Sequence, residues 1–369
     1  MIQRNQNPLI SPRNWEESKP IASASNIYLI SIDESHNEQW DELVVSSPNG
    51  NRFILSKWLK MLVDTSHFGL HTDRVGCIDS KGNLLAGWVI PYKQTWGVRR
   101  SYGFGLRFSG PLLSPRLSNG AMKTLALSMF SEYAQSNYGM INAENHPSFL
   151  DLRVFLYNNW SVVPNYMHIW DLTDTDTVFR NMNSEKRREI RRGLEAYSHS
   201  REELNDNTFE QFFALYACTM HLRHQVSLGG DWLNELRTRL MWMADEDGIR
   251  LYTARSESGD LMAGLLVLMS PEDHTAYYWM SGYDQTERDS RLLPSLYWYV
   301  NQAICASDPH IQYINLGISP QSSLSRFKDM LGAEPTLFFT LLYQNRTMKS
   351  LLLNGYEQTK AIARCILRR

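Results

Sequence analysis

At 369 residues, with 43% hydrophobic and 12% aromatic content, the chain can bury two cores of average domain size and is not compositionally disordered. A formal net charge of −2 excludes a global electrostatic footprint for nucleic acid, so any such contact must come from a local patch. Cys77, Cys218, Cys305 and Cys365 stand far apart in sequence, as reduced thiols do in a cytosolic protein. The N-terminal stretch is polar without the apolar core of a signal peptide. The longest apolar run, Leu261–Met269, is about half of what a membrane crossing requires. The expected location is cytoplasmic.

In chain order, residues 1–26, rich in Asn, Ser and Pro, are expected to form a flexible tail. Ile27–Asp33 alternates like a strand, and Glu38–Val45 and Phe53–Val63 have helical spacing that puts Trp58, Leu59 and Leu62 on one side. Arg74–Ile78 and Leu84–Tyr92 flank Ser80-Lys81-Gly82-Asn83 and predict a hairpin. The glycine-rich run over 96–115 lacks a third glycine for a dinucleotide fingerprint, so irregular, bulged strands are expected there. Asn119–Asn137 reads as a helix, Met140–Ala143 as a strand, Leu150–Asn158 as a helix and Val162–Leu172 as a strand.

Arg180–Arg201 changes the composition. Its helix brings Arg187, Arg188 and Arg191 onto neighbouring positions, either as a solvated connecting face or as an anion-binding face. Asn207–Arg223 is a helix whose extension holds Cys218, His221 and His224; three positions over so short a span converge poorly on one metal, and no metal site is expected. Trp232–Ala244 is helical, Arg250–Ser256 and Leu261–Ser270 form a second hairpin, and Ala276–Tyr283 a third strand. The helix Arg291–Ala306 then leads to the strand Tyr313–Ile318. After it, Ser319 is placed as N-cap and Pro320 as first helical residue of a helix carrying Phe327 and Lys328, stopped by Gly332. Thr336–Tyr343 is a closing strand. The tail from Arg346 to Arg369 reads as a basic amphipathic helix, either touching an anionic membrane from the cytoplasmic side or packed on the second half. The order of elements in the first half repeats in the second, with negligible identity between halves.

That doubled order resembles the GNAT acyltransferase fold in tandem, in the FemAB-like or BioF2-like branch. The segments that carry the likeness are "NSEKRREIRRG", "FFALYACTMHLRHQ", "LYTARSESGDLMAGLLVLM" and "YYWMSGYDQTERDSRLLPSLYWYVNQAI" with "YINLGISPQSSLSRFKDMLGAEP". The resemblance implies an α/β (α+β) architecture of two GNAT-like domains, each a mixed, mostly antiparallel sheet flanked by helices. It places a flexible tail at 1–26, one domain at 27–175, an Arg-rich connecting helix at 176–205, a second domain at 206–345 and the basic helix at 346–369.

It also implies transfer of an acyl group from an activated donor, acyl-CoA, to an amine acceptor, such as an amino sugar or a cell-envelope glycan precursor. The alternatives are an aminoacyl-tRNA-dependent peptidyl transferase of the FemAB type and a non-catalytic GNAT-like ligand-binding module. By motif, Lys328, Tyr283 and Asp284 are the catalytic candidates. Phe327, Arg187, Arg188, Arg191, His224, Ser281 and Tyr297 are placed at the substrate, and Leu292, Leu293 and Ser295 at the donor phosphates, with no metal. One departure from the family pattern is plain: "DQTERDSRLLPS" has no glycine where the CoA-binding loop is glycine-rich.

Overall fold

The computed structural model describes residues 22–24, 26–66, 69–103, 107–224, 230–286, 289–319 and 321–345. The basic helix expected over 346–369, Cys365, Pro320 and most of the expected tail lie outside them. The chain forms two compact units. One is built from the chain up to Val63, residues 68–164 and the chain from Phe338; the other from Asp64–His67 and Asn165–Leu337.

The first unit begins with β1 (Ala22–Ala24), which pairs antiparallel with β2 (Ile27–Ser31), so the last residues of the expected tail are a strand. Helices α1 (Asn37–Ser46) and α2 (Ser56–Asp64) follow, and the apolar positions Trp58, Leu59 and Leu62 are buried as their spacing predicts. The hairpin joins β3 (His71–Asp79) to β4 (Leu84–Thr95), and its turn is tied by Asp79, whose Oδ1 accepts from the Lys81 and Asn83 N–H groups. The glycine-rich run gives only the short β5 (Val98–Arg100) and β6 (Leu112–Leu113). Then come α3 (Gly120–Asn137), capped by Asn119, β7 (Met140–Glu144), α4 (Arg153–Tyr157) and β8 (Ser161–Asp171). Trp88, Phe130, Phe155 and Trp160 pack edge to face or tilted against one another at the centre of this unit. Trp88 donates its indole N–H to the Ser109 carbonyl at 2.9 Å, so burial leaves no donor stranded.

In the second unit the Arg-rich segment is broken into α5 (Thr175–Asn181), α6 (Ser184–Ala196) and β9 (Ser198–Glu202), where one connecting helix is expected. Local capping is the reason. Asn183 accepts from the Glu185 N–H to start α6, and Arg187 Nη1 donates to the Arg180 and Met182 carbonyls at 2.6 and 2.7 Å, closing the end of α5. Next come α7 (Asp206–His224), α8 (Gly230–Asp245), β10 (Ile249–Arg255), β11 (Leu261–Ser270), β12 (Thr275–Tyr283), α9 (Leu292–Ser307), β13 (Tyr313–Ile318), α10 (Ser322–Met330) and β14 (Glu334–Gln344).

Here the strand order is β8-β13-β12-β11-β10-β9, antiparallel throughout except for β12 and β13. Those two run parallel because α9 carries the chain back between them, as a crossover must. Trp170 anchors the core against Tyr278 and Trp298 and donates to the Leu331 carbonyl at 2.9 Å. From Thr340 to Gln344, β14 pairs antiparallel with β7, so the strand expected to close the second half completes the sheet of the first unit.

One sequence expectation at α10 meets a physical correction. Helix α10 starts at Ser322 with Gln321 as N-cap and no side-chain cap bond, so Ser319 is not the cap. The Ser319 hydroxyl is engaged elsewhere, with His168. At its other end, Gly332 does stop the helix, in the left-handed conformation at φ +69°.

Candidate active site

The parallel pairing of β12 with β13 covers only Thr275↔Tyr313, Ala276↔Ile314 and Tyr277↔Asn315. Beyond it β12 runs on to Tyr283 and β13 to Ile318 without pairing to one another. Along its other edge β12 carries a bulge: Met280 pairs with Leu266 and Tyr278 with Val267, leaving Trp279 as the extra residue. The strands therefore part at the level of Tyr278, and β12 bends there.

A cavity of about 650 Å³ lies against this unpaired stretch. Trp279, Met280, Ser281 and Tyr283 of β12 line it, with Tyr216, Thr219 and Met220 of α7, Leu292, Leu293, Pro294 and Tyr297 of α9, and Gln321, Ser323, Leu324 and Phe327 from β13's exit and α10. Its walls mix apolar and aromatic surface with polar groups, as a ligand site does. The α7 wall sits directly on the strand. A Cβ added at Gly282 would fall 2.5 Å from the Tyr216 nitrogen and 2.8 Å from its Cα, both backbone atoms of α7. Gly282→Ala is therefore expected to push α7 off the sheet and to cost about 1–3 kcal/mol, as overpacking does. Thermal unfolding measures it; an unchanged melting temperature would show that α7 gives way freely.

Of the residues singled out by sequence, Tyr283, Ser281, Tyr297, Phe327, Leu292 and Leu293 meet in this cavity. Burial pushes the Tyr297 phenol up, against a hydrogen bond with Ser281 that pulls it down. The others lie elsewhere. Asp284 accepts from the Thr286 N–H and hydroxyl and so serves a turn. Ser295 is fully buried on the face of α9 that meets α6, bonded to the Leu292 carbonyl and to His199. Arg187 ties the end of α5, Arg188 is exposed, and Arg191 stacks over Phe179. His224 is the last residue of α7, and its side chain lies outside the described residues.

Lys328 is 4% exposed and does not line the cavity. Its Nζ donates to the Gly317 and Ile318 carbonyls at 2.8 and 3.0 Å, gripping the end of β13 where it leaves β12. Gly317 makes that bend in the left-handed region, at φ +82°.

Sequence reading missed Lys186, Thr219, Gln285 and Asp289, which also line the cavity. The cation there is thus Lys186, one residue before the arginine cluster. It is ion-paired to Glu189 at 2.5 Å, and its amino group stands 5.8 Å from the Phe327 ring centre. The Glu189 at i+3 was its only sequence signal.

Asp289 is the more consequential omission. Its carboxylate accepts from the Arg291 N–H at 2.9 Å, from the Arg291 guanidinium and from the Tyr197 hydroxyl at 2.8 Å. The Arg291 side chain, aided by its backbone N–H and Tyr197 and opposed by burial, holds the carboxyl down at about 2. A permanent anion thus stands just ahead of α9. An acidic residue three places before the first helical residue is a helix-start signal readable in sequence.

Residues 180–329 match the model of the acetyltransferase (GNAT) domain family. No curated protein sequence is a match. Among solved structures, FemX is similar with a TM-score of 0.62 at 12% identity, over 84% of this chain and 96% of that one. A tandem GNAT protein from the clavulanic acid biosynthesis pathway has a TM-score of 0.53 at 12% identity, over 86% and 97%. The C-terminal domain of a putative lysylphosphatidylglycerol synthetase from Agrobacterium fabrum has 0.50 at 14% identity, over 86% and 94%. At such identities the likeness speaks for the fold. The chain carries a GNAT domain with an acyltransferase-type fold. The fold as a whole is similar to the tandem arrangement of FemX and of that tandem GNAT protein.

Proposed function

We propose that the protein is an N-acyltransferase that moves an acyl group from an activated donor to an amine acceptor in the second-unit cavity. The observation that carries this is the parting of β12 from β13 beside the cavity. Backbone N–H groups released there are donors for a polarised carbonyl oxygen, the group on which negative charge develops during acyl transfer. Tyr297 and Ser281 act at the reacting centre as hydrogen-bonding groups, and Phe327 packs against the acyl chain. The acceptor is an amino sugar or another amine of a cell-envelope glycan precursor.

Acyl-CoA is the donor the fold first suggests, and a diphosphate would be seated by the N–H groups at the start of α9. The residues present do not fit it there. The loop has no glycine, α9 begins without a side-chain cap, and the Asp289 carboxylate already takes the Arg291 N–H. A diphosphate in that place would have to compete with the Asp289 carboxylate for the Arg291 N–H and guanidinium. This favours a second reading for the donor, an aminoacyl ester carried by tRNA, whose amino group is cationic where a phosphate is anionic.

Thermal shift separates the readings, because a ligand that binds only the folded chain raises its melting point by mass action. A rise with a charged tRNA and none with acetyl-CoA is expected. Stabilisation by acetyl-CoA would return the donor to a thioester. Stabilisation by a glycan alone, with no transfer to it, would leave a binding module.

A further inference from the structure

The second unit holds another cavity, of about 510 Å³, and no residue lines both it and the cavity beside β12. Helices α5, α6 and α9 bound it. A Cβ on Gly193 of α6 would fall 2.6 Å from the Ser295 side chain, so α6 and α9 touch there. Further along α9, Trp298 and Gln302 line the cavity with Ile190 and Leu194 of α6 and Phe179 of α5. Tyr297 and Trp298 thus serve different cavities from adjacent positions, as residues on different faces of one helix do. A space of this size takes a small organic ligand.

Trp298 is 7% exposed, its ring tilted against Phe179 at 4.9 Å and edge-on to Trp170 at 6.2 Å. The buried Trp40, Trp88, Trp160 and Trp170 each donate the indole N–H to a carbonyl or a hydroxyl. Among the described residues Trp298 has no such acceptor, although leaving a buried donor unpaired costs stability. Since Trp298 borders the cavity, a ligand oxygen there can take its N–H. Charge at the rim points the same way. The Arg191 guanidinium stands 5.6 Å from the Phe179 ring centre and, among the described residues, is paired with no carboxylate. Arg180 gives one hydrogen bond to Thr177 Oγ1 and has further N–H groups to spare. Asp176 is the one carboxylate in the lining, so the two guanidinium groups of Arg180 and Arg191 leave an excess of positive charge.

We propose that this cavity is a second ligand site, for an organic anion with an apolar body. The body packs on Phe179, Ile190, Leu194 and Trp298. Its carboxylate or phosphate monoester is held by Arg180 and Arg191 and accepts from the Trp298 N–H. Each part of the lining selects. A planar guanidinium matches a carboxylate or a phosphate in two parallel hydrogen bonds, which a neutral ligand cannot use. A cationic ligand meets two like charges and one opposite charge. An inorganic anion leaves the aromatic floor wet, so it forgoes the apolar contact that an organic body gains. The site goes beyond the transfer reaction and does not depend on that reading.

Photolabelling of the full chain with para-benzoylbenzoate tests this without an assay of acyl transfer. The probe is an aromatic carboxylate whose ketone inserts into nearby C–H bonds under near-ultraviolet light. Peptide mass spectrometry should place a saturable label on residues of this cavity, such as Ile190, Leu194 or Gln302. The neutral para-benzoylbenzamide, with the same body, should need about tenfold more for the same labelling. Arg191→Gln should weaken labelling by the carboxylate about fivefold and leave the amide unchanged. Gln302→Glu, at an exposed position, should do the same by adding a like charge, and it answers the question if the arginine variant folds poorly. Naphthoate and naphthyl phosphate should both displace the probe where inorganic phosphate does not, and the stronger of the two names the preferred head group. Label confined to the cavity beside β12, equal labelling by acid and amide, or acid labelling unchanged in both variants would overturn the proposal.

Discussion

Lys328→Met is expected to lower the rate of acyl transfer at least tenfold and to cost about 1–3 kcal/mol of stability. The methionine keeps the packing of the stem and removes the hydrogen bonds that Nζ gives to the Gly317 and Ile318 carbonyls. Those carbonyls sit where β13 is half open to water, so hydration recovers part of the loss and the cost stays at the low end for buried acceptors. The rate should suffer more than stability does, because the same two residues set the angle at which β13 leaves β12. With the donor that raises the melting temperature, kcat is measured well below the unfolding transition. A fall in kcat with little change in KM marks a positioning residue that acts in the transition state. A rate that follows the folded fraction alone would reduce Lys328 to a structural clamp.

Much of this was open to sequence reading, for identifiable reasons. Hairpins were legible because Gly82 and Gly259 stand between alternating apolar runs, and those signals are local. The strand Tyr313–Ile318 and the stop at Gly332 were equally local. The break of the Arg-rich segment was not, since it depends on Arg187 reaching back to carbonyls five and seven residues earlier. The closing strand went to the first unit because pairing of Thr340 with Glu144 is a tertiary choice that periodicity cannot rank.

At the site, the wall residues Tyr283, Tyr297 and Phe327 were found because apolar and aromatic positions repeat at helix and strand spacing. Asp289 and Lys186 were not, because each reads in sequence as an ordinary charge beside other charges. Ser319 illustrates the limit best. A serine before Pro320 reads as a helix cap, and only the fold brings His168, far back in the chain, to its hydroxyl.

Arg250→Leu is expected to be the most destabilising single change considered, at about 3–5 kcal/mol. Arg250 and Asp308 are 6% and 8% exposed and joined by two parallel hydrogen bonds, Nη1 to Oδ2 at 2.5 Å and Nη2 to Oδ1 at 2.9 Å. Asp308 ends α9, and Arg250 stands near the start of β10, so the pair fixes the helix that forms one wall of the cavity to the sheet behind it. Leucine would leave the Asp308 carboxylate buried without its charge partner, with the Ser307 hydroxyl still donating to it, which costs more than the pair itself contributes. Replacing both residues by leucine should recover a large part of the loss.

The effect has a sign in pH. Burial pushes the Asp308 carboxyl up, but the hydrogen bonds from Arg250 and Ser307 outweigh it and hold the group below its ordinary value of 3.8. A carboxyl depressed in the folded state stabilises the protein above 3.8, and that contribution is lost as pH falls through the folded value. The gap in stability between wild type and Arg250→Leu should therefore be widest near neutrality and close in acid. Urea unfolding followed from pH 7 down to about pH 2 measures it, and a gap that stays constant would place the cost of the substitution in lost packing of the arginine stem.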